Sequence, residues 1–189
     1  MGDIDQSLRG FLAELERSGE LARIAEPVSL RHELSALLAA ADDGPALLFE
    51  RVHGSALQVV GGVLGSQRRI AAGLGVAPDG EAVQARILDA LAHPLAPQEV
   101  DAAPCREVEV APVDLGRLPI PWFFEHETGP YVTAGAIVAR DPDGGAANLS
   151  IARCKPLGEA RAMVGIAPNH HLAVLGRRAG RAARHCRSR

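Results

Sequence analysis

Apolar positions along this chain follow two rhythms, one of about 3.6 residues and one of 2, and these divide it into helices and strands. Leu8, Phe11, Leu12 and Leu15 recur at helical spacing across residues 7–18, and Gly19 is placed to stop that helix. The segment ELARI predicts a short strand that Pro27 keeps from running on. SLRHELSALLAAAD predicts a helix opening at Ser29, although no acid or amide stands three residues on to complete a capping box. ALLFERVHGS and LQVVGGVLGS predict strands separated by a Gly-Ser turn, with residues 46–50 and 58–63 expected to pair. Ser66 is suited to cap the helix QRRIAAGLG. In DGEAVQARILDALAHP, Val83, Ile87, Leu88 and Leu91 share one face of a helix that ends before Pro94.

Between residues 94 and 121 the texture changes to proline-punctuated runs such as HPLAPQEVDAAPC and VAPVDLGRLPIPW, which suit a traverse between sub-domains. YVTAGAIVARDPDGG then reads as an apolar, β-branched strand ending in a turn, and AANLSIARCKPLG as its return strand. A helix is predicted from His170. This order of elements gives an α+β (mixed α/β) class. The expected division is a mixed α/β sub-domain over residues 1–100, a second unit over 101–175, and an arginine-rich tail over 176–189.

Composition narrows the function classes. The chain has 189 residues, 47% of them hydrophobic and only 3% aromatic, so its core is built mainly from Ala, Val, Leu and Ile. The last fourteen residues, GRRAGRAARHCRSR, hold six arginines, and residues 1–175 carry a net charge of −9, with 14 basic against 23 acidic side chains. An acidic body argues against a nucleic-acid surface. Cys105, Cys154 and Cys186 lack ligand-like spacing, which predicts free thiols in a reducing compartment. No apolar run reaches the roughly 18 residues of a membrane span, and MGDIDQSLRG lacks the marks of a signal peptide. The expected location is cytoplasmic.

Three sets of residues offer chemistry. Asn148, Ser150 and Arg153 lie together on the predicted return strand, reading either as a solvated face or as the wall of a site. Asn and Ser present neutral oxygens suited to a hard cation or a phosphate's partners, and Arg153 can grip a carboxylate or phosphate through two nitrogens. Strand parity sets 148 and 150 on one face and 153 on the other unless a bulge intervenes. The second set is APNHHLAVL, which places His170 and His171 in the first turn of a helix, about 100° apart. They read as ligands or as ordinary surface histidines. Third, Trp122, Phe123, Phe124 and Tyr131 cluster in sequence as a hydrophobic plug or the wall of a pocket for a planar ligand. The glycines of GGVLGS lack both the Lys-Ser/Thr ending and the GxGxxG spacing of phosphate-binding loops, so they are a weak signal.

These runs together resemble the UbiD family. The likeness lies in ALLFERVHGS…VVGGVLGSQRRIAAGLG, PCREVEV…DLGRLPIP, GPYVTAGAIVARDPDGGAANLSIAR and GIAPNHHLA, in that order across roughly residues 7–175. The resemblance implies that the second unit is the first part of a flavin-binding split β-barrel. It also implies a reversible, non-oxidative decarboxylase of aromatic, heteroaromatic or α,β-unsaturated acids. The implied cofactor is prenylated FMN, its phosphate bound through Mn2+ or a similar divalent ion with K+ nearby, in a homo-oligomeric full-length protein.

By position, Asn148 and His171 correspond to metal ligands, and Thr133, Ser150, Ile151, Ala152 and His170 to cofactor-contacting residues. Arg153 corresponds both to a cofactor contact and to the arginine of the catalytic acid/base network. The family's third metal ligand and the acidic members of that network fall beyond position 189. After about Leu175 the sequence is expected to leave the family's pattern. Its ending reads either as GC-rich DNA translated out of frame or as an amphipathic helix carrying Leu172, Leu175, Ala179, Ala182 and Cys186. The reading is therefore a shortened enzyme lacking its acid, with a non-catalytic binding or interaction module as the alternative. Asn148 and His171 are expected to come within metal-bridging range, with Arg153 pointing into the same cavity, where it is expected to be solvated or to borrow an acid such as Glu125 or Glu127.

Overall fold

The computed structural model describes residues 7–96, 98–144 and 147–187, with side chains through residue 180. Gly145 of the expected turn and residues 188–189 of the arginine-rich end lie outside the described residues. The chain forms two compact units: one of residues up to 112 together with 117–119, the other of residues 113–116 and those from 120 onward. Each carries its own three-stranded sheet, so the mixed α/β class is observed.

In the first unit, α1 (Leu8–Arg17) is capped by Ser7, whose hydroxyl accepts from the Gly10 amide at 3.0 Å, and it buries Leu15 completely. The chain turns at Gly19, in the left-handed region at φ 75°, into β1 (Leu21–Ile24). The next helix, α2, spans Glu33–Ala40 and starts four residues later than the serine signal suggests. Ser29 forms a local turn instead, its hydroxyl accepting from the Arg31 amide at 3.1 Å. Glu33 reaches back to take the Ser29 amide at 2.7 Å, so the acid that was missing three residues on is supplied four residues on.

β2 (Ala46–Phe49) is central, parallel to β1 and antiparallel to β3 (Val59–Gly61). All four of its residues are buried, as a strand covered on both faces requires. Around it lies the core of Val28, Leu34, Leu47, Phe49 and Val52. Each of its larger side chains stabilises the fold by about 1.5–3 kcal/mol through removal from water.

Ser66 caps α3 (Gln67–Leu74), accepting from the Arg69 amide at 3.2 Å, and Gly75 ends the helix at φ 67°. Asp79 caps α4 (Gly80–Ala92) through the Ala82 amide at 2.8 Å. The predicted apolar face of α4 is present but open: Ile87, Leu88 and Leu91 are 45%, 57% and 73% exposed.

The second unit is an antiparallel sheet in the order β4 (Val132–Ala139), β5 (Asn148–Pro156), β6 (Ala162–Val164), followed by helix α5 (His171–Arg187). The β4–β5 turn is built by Asp141, whose carboxylate accepts from the Asp143 amide at 3.1 Å and whose carbonyl accepts from the Gly144 amide at 3.1 Å. From Asn148 to Ala152, β5 runs in unbroken register with residues 139 to 135. Then Val132 pairs with Cys154 and Gly135 with Ala152, so Thr133 and Ala134 form a bulge in β4. At Gly135 a Cβ would stand 2.8 Å from the Ala152 carbonyl oxygen, which explains the glycine at the point where the bulge rejoins the ladder. β6 pairs with residues 154–156, so among the described residues no strand lies beside the edge of β5 away from β4 between Asn148 and Arg153.

Candidate functional site

Strand β5 and the start of α5 meet around one cavity of about 380 Å³, lined by Asp141, Gly144, Ala147, Asn148, His171, Val174, Leu175 and Arg178. Asn148 enters as the first residue of β5, immediately after the turn, and His171 as the first residue of α5. Helical spacing then brings Val174, Leu175 and Arg178 to the cavity on the same face as His171. Asn148 donates its amide nitrogen to the Ser150 hydroxyl at 2.8 Å, an arrangement that turns the amide oxygen away from Ser150 and leaves it for another partner. Arg178 forms an ion pair with Asp141, whose side chain is only 14% exposed.

Arg153 lies elsewhere. Residues 148, 150, 152 and 154 of β5 are half-buried, while 149, 151 and 153 are exposed, so the strand alternates strictly. The bulge needed to bring Arg153 to the Asn148 face exists, but in β4; extra residues there shift the parity of β4 and leave that of β5 unchanged. The expectation that Arg153 enters the Asn148 cavity is therefore corrected. It is absent from that cavity's lining. Its guanidinium instead stands 4.5 Å from the centre of the Tyr131 ring and is ion-paired to Glu127, one of the two acids expected for it. Lys155 flanks the same ring at 5.7 Å and donates to the Thr128 carbonyl at 2.7 Å and hydroxyl at 2.6 Å. This group ties the segment before β4 to β5 and gives Tyr131, from the predicted aromatic cluster, a cation on its ring.

The other proposed residues are placed as follows. Thr133 occupies the bulge and is exposed; Ile151 is 69% exposed on the Arg153 face; Ala152 is half-buried on the Asn148 face. His170 is exposed and caps α5 through its carbonyl, which accepts from the Ala173 amide at 3.0 Å and the Val174 amide at 3.2 Å. His171 alone of the pair lines the cavity. Among the described residues no group of three or more His, Cys, Asp or Glu side chains assembles to hold a metal ion. Sequence reading passed over Asp141 and Arg178, which appeared as a turn residue and part of an arginine-rich tail. The available signal was the seven-residue interval from His171 to Arg178, two turns along one helix face.

The glycine-rich loop, a weak phosphate signal in the sequence, leads into α3. Beside it the buried guanidinium of Arg69 donates to Glu20 at 3.0 Å and to the Gly44 carbonyl at 2.8 Å, so its charge is already answered from within the fold. No described helix is long and apolar enough to cross a membrane.

Comparison with known proteins bears on both units. Residues 12–87 match the N-terminal domain of 3-octaprenyl-4-hydroxybenzoate carboxy-lyase, and residues 98–186 match the Rift-related domain of the same enzyme. The second match runs to residue 186, past Leu175, where the pattern was expected to end. An uncharacterised protein encoded in the cooM 5' region of Rhodospirillum rubrum is 36% identical over 168 residues, covering 87% of this chain and 36% of that protein. Among solved structures, an evolved dimeric form of the UbiD-class enzyme HmfF from Pelotomaculum thermopropionicum, in complex with prenylated FMN, is 38% identical. Its TM-score is 0.87, over 94% of this chain and 42% of that one. The closed form of vanillic acid decarboxylase from Sedimentibacter hydroxybenzoicus is 27% identical with a TM-score of 0.84, over 92% of this chain and 40% of that one. The chain thus spans about two-fifths of the length of these relatives.

Proposed function

This chain belongs to the UbiD family, through its N-terminal and Rift-related domains, and on that premise we propose that it forms the FMN-phosphate and metal pocket of a prenylated-FMN-dependent decarboxylase. The observation that carries the reading is the convergence of Asn148 and His171, from a strand and a helix 23 positions apart in sequence, on one cavity. The donor chemistry fits. A neutral amide oxygen and an imidazole nitrogen suit a divalent ion such as Mn2+ that also binds phosphate, and the start of α5 favours an anion beside it. Ser150 holds the Asn148 amide in the orientation that offers its oxygen.

In this reading the phosphate lies at Asn148 and His171, with His170 and a K+ ion at its margin. Residues 150–153, ending at Arg153, would hold the rest of the cofactor. Beside the edge of β5 that no described strand covers, Asn148 and Ser150 would meet the ligand from one face and Ile151 and Arg153 from the other, and Thr133, in the β4 bulge, is a further proposed contact. When bound, the prenylated flavin supplies the electron sink for carbon dioxide loss. Arg153 orients the carboxylate of an aromatic, heteroaromatic or α,β-unsaturated acid, held in place by Glu127 and Tyr131. The acids of the protonation step belong to the part of the relatives that this sequence does not span. Decarboxylation is accordingly proposed for the whole homo-oligomeric, cytoplasmic protein, and cofactor binding for this chain.

Titration of the purified chain with FMN and Mn2+, followed by flavin fluorescence, tests the reading. Mn2+-dependent FMN binding is expected, and it is expected to be lost in Asn148→Ala and in His171→Ala without loss of helical signal. FMN binding that ignores Mn2+ and both substitutions would remove the assignment. The alternative, a non-catalytic interaction module, draws on the exposed apolar residues Val138, Leu149 and Ile151. It predicts association with a partner chain and no flavin binding at all.

A further inference from the structure

The Asn148–His171 cavity contains a charged pair that the proposed site does not use. Arg178, half exposed, reaches from α5 to Asp141 in the β4–β5 turn, and both line the same 380 Å³ space. Asp141 is doubly committed. One carboxylate oxygen accepts from the Asp143 amide at 3.1 Å and fixes the turn, while the other takes Arg178. The turn therefore persists when Arg178 leaves. Arg178 is not anchored in the same way, since Asp141 is its only side chain partner among the hydrogen bonds described and its own exposure leaves the guanidinium room to move.

We propose that the Asp141–Arg178 pair is a charge placeholder. On loading, Asp141 becomes a carboxylate ligand to the divalent cation beside Asn148 and His171, and Arg178 becomes a ligand to the phosphate. The proposal rests on the reading of this cavity as a metal-phosphate site and adds two residues to it. Electrostatics favours the exchange. The charges of Asp141 and Arg178 cancel in one internal pair, and a divalent cation with a phosphate of nearly two negative charges brings almost no net charge. The single ion pair becomes two, carboxylate with cation and guanidinium with phosphate, and each new partner carries the larger charge. His171 and Arg178 stand about 10 Å apart along one helix face, with the apolar Val174 and Leu175 between them. Cation and anion contacts are thus distributed along the cavity wall and do not compete for one point.

Two substitutions with opposite predicted signs test this, using Mn2+ alone, read by the electron paramagnetic resonance signal of the free ion, and then FMN with Mn2+, read by flavin fluorescence. Arg178→Gln frees Asp141, so it should tighten Mn2+ binding in the absence of phosphate while weakening FMN binding by about tenfold or more. Asp141→Asn should weaken Mn2+ binding by about tenfold. A pair that only latches the turn to the helix would make both substitutions lower both affinities, and that result overturns the proposal. Arg178→Gln decides the matter alone if Asp141→Asn fails to fold, because only a placeholder moves its two readouts in opposite directions. If both variants match the wild type while Asn148→Ala loses Mn2+, the proposal falls and the Asn148–His171 site stands. If the wild type binds neither Mn2+ nor FMN, both fall together.

Discussion

Arg69 is the buried charged side chain among the described residues, 2% exposed, and its position follows from a local conflict. The α3 helix packs against α1 and α4, yet its third residue is a buried arginine, so the fold surrounds the guanidinium with Glu20 and the Gly44 carbonyl. Replacing Arg69 with Met keeps the volume but leaves both acceptors without their donor. Because Glu20 is 22% exposed and retains some access to water, the expected loss is about 1–3 kcal/mol, read as a lower midpoint in urea unfolding. An unchanged midpoint would mean that the pair is structurally idle.

A second ion pair makes a pH prediction. Hydrogen bonds from Arg23 hold the Glu16 carboxyl below its ordinary range, against an opposing effect of desolvation, and Arg23 is also bonded to Glu50 at 2.9 Å. A carboxyl with a depressed folded-state pKa stabilises above its unfolded value, about 4.3, and that contribution disappears as pH falls through the folded value. Glu16→Gln should therefore melt below the wild type at pH 7, and the difference should close on acidification below about pH 4. A constant gap between pH 7 and pH 2 would show that the pairing with Arg23 is not its cause.

At the scale of elements, Gly135 sets how β4 meets β5. An added Cβ would press on a backbone oxygen, which cannot rotate aside, and on Cys154 Sγ at 3.2 Å. Gly135→Ala should cost about 1–3 kcal/mol and speed amide exchange along both strands; exchange equal to the wild type would show that the bulge relaxes freely. This bulge was not legible in the sequence, because an apolar β-branched run reads the same with or without one extra residue. The Ser66 cap and the paired strands after Pro45 were legible, since their determinants lie within a few residues. The start of α2 was misread for a related reason: only one half of the capping exchange forms, Glu33 taking the Ser29 amide while the Ser29 hydroxyl accepts from the Arg31 amide. Asp141 and Arg178 are 37 residues apart, and only the folding of α5 against β5 joins them.

For the whole molecule, the main question is what the apolar surface of each unit costs in water. On the sheet of the second unit, Val138 and Leu149 are directly paired across the strands and are 66% and 65% exposed, with Ile151 at 69% on the same face. Beside them, among the described residues, β5 has an open edge and both outer strands of the sheet have an unpaired side. In the first unit the α4 face of Ile87, Leu88 and Leu91 is also uncovered. An apolar face adjoining unpaired strand edges favours association, because a second chain can remove surface from water and pair backbone groups together. The chain should therefore self-associate with rising concentration in sedimentation velocity. Exchanging Val138 and Leu149 for Lys should shift it toward monomer, since like charges opposite each other on an edge-proximal pair oppose stacking. Both side chains are exposed, so the substitutions should leave unfolding within about 0.5–1 kcal/mol of the wild type. A wild type that stays monomeric at every concentration, with one cooperative transition, would show that the face is tolerated in water.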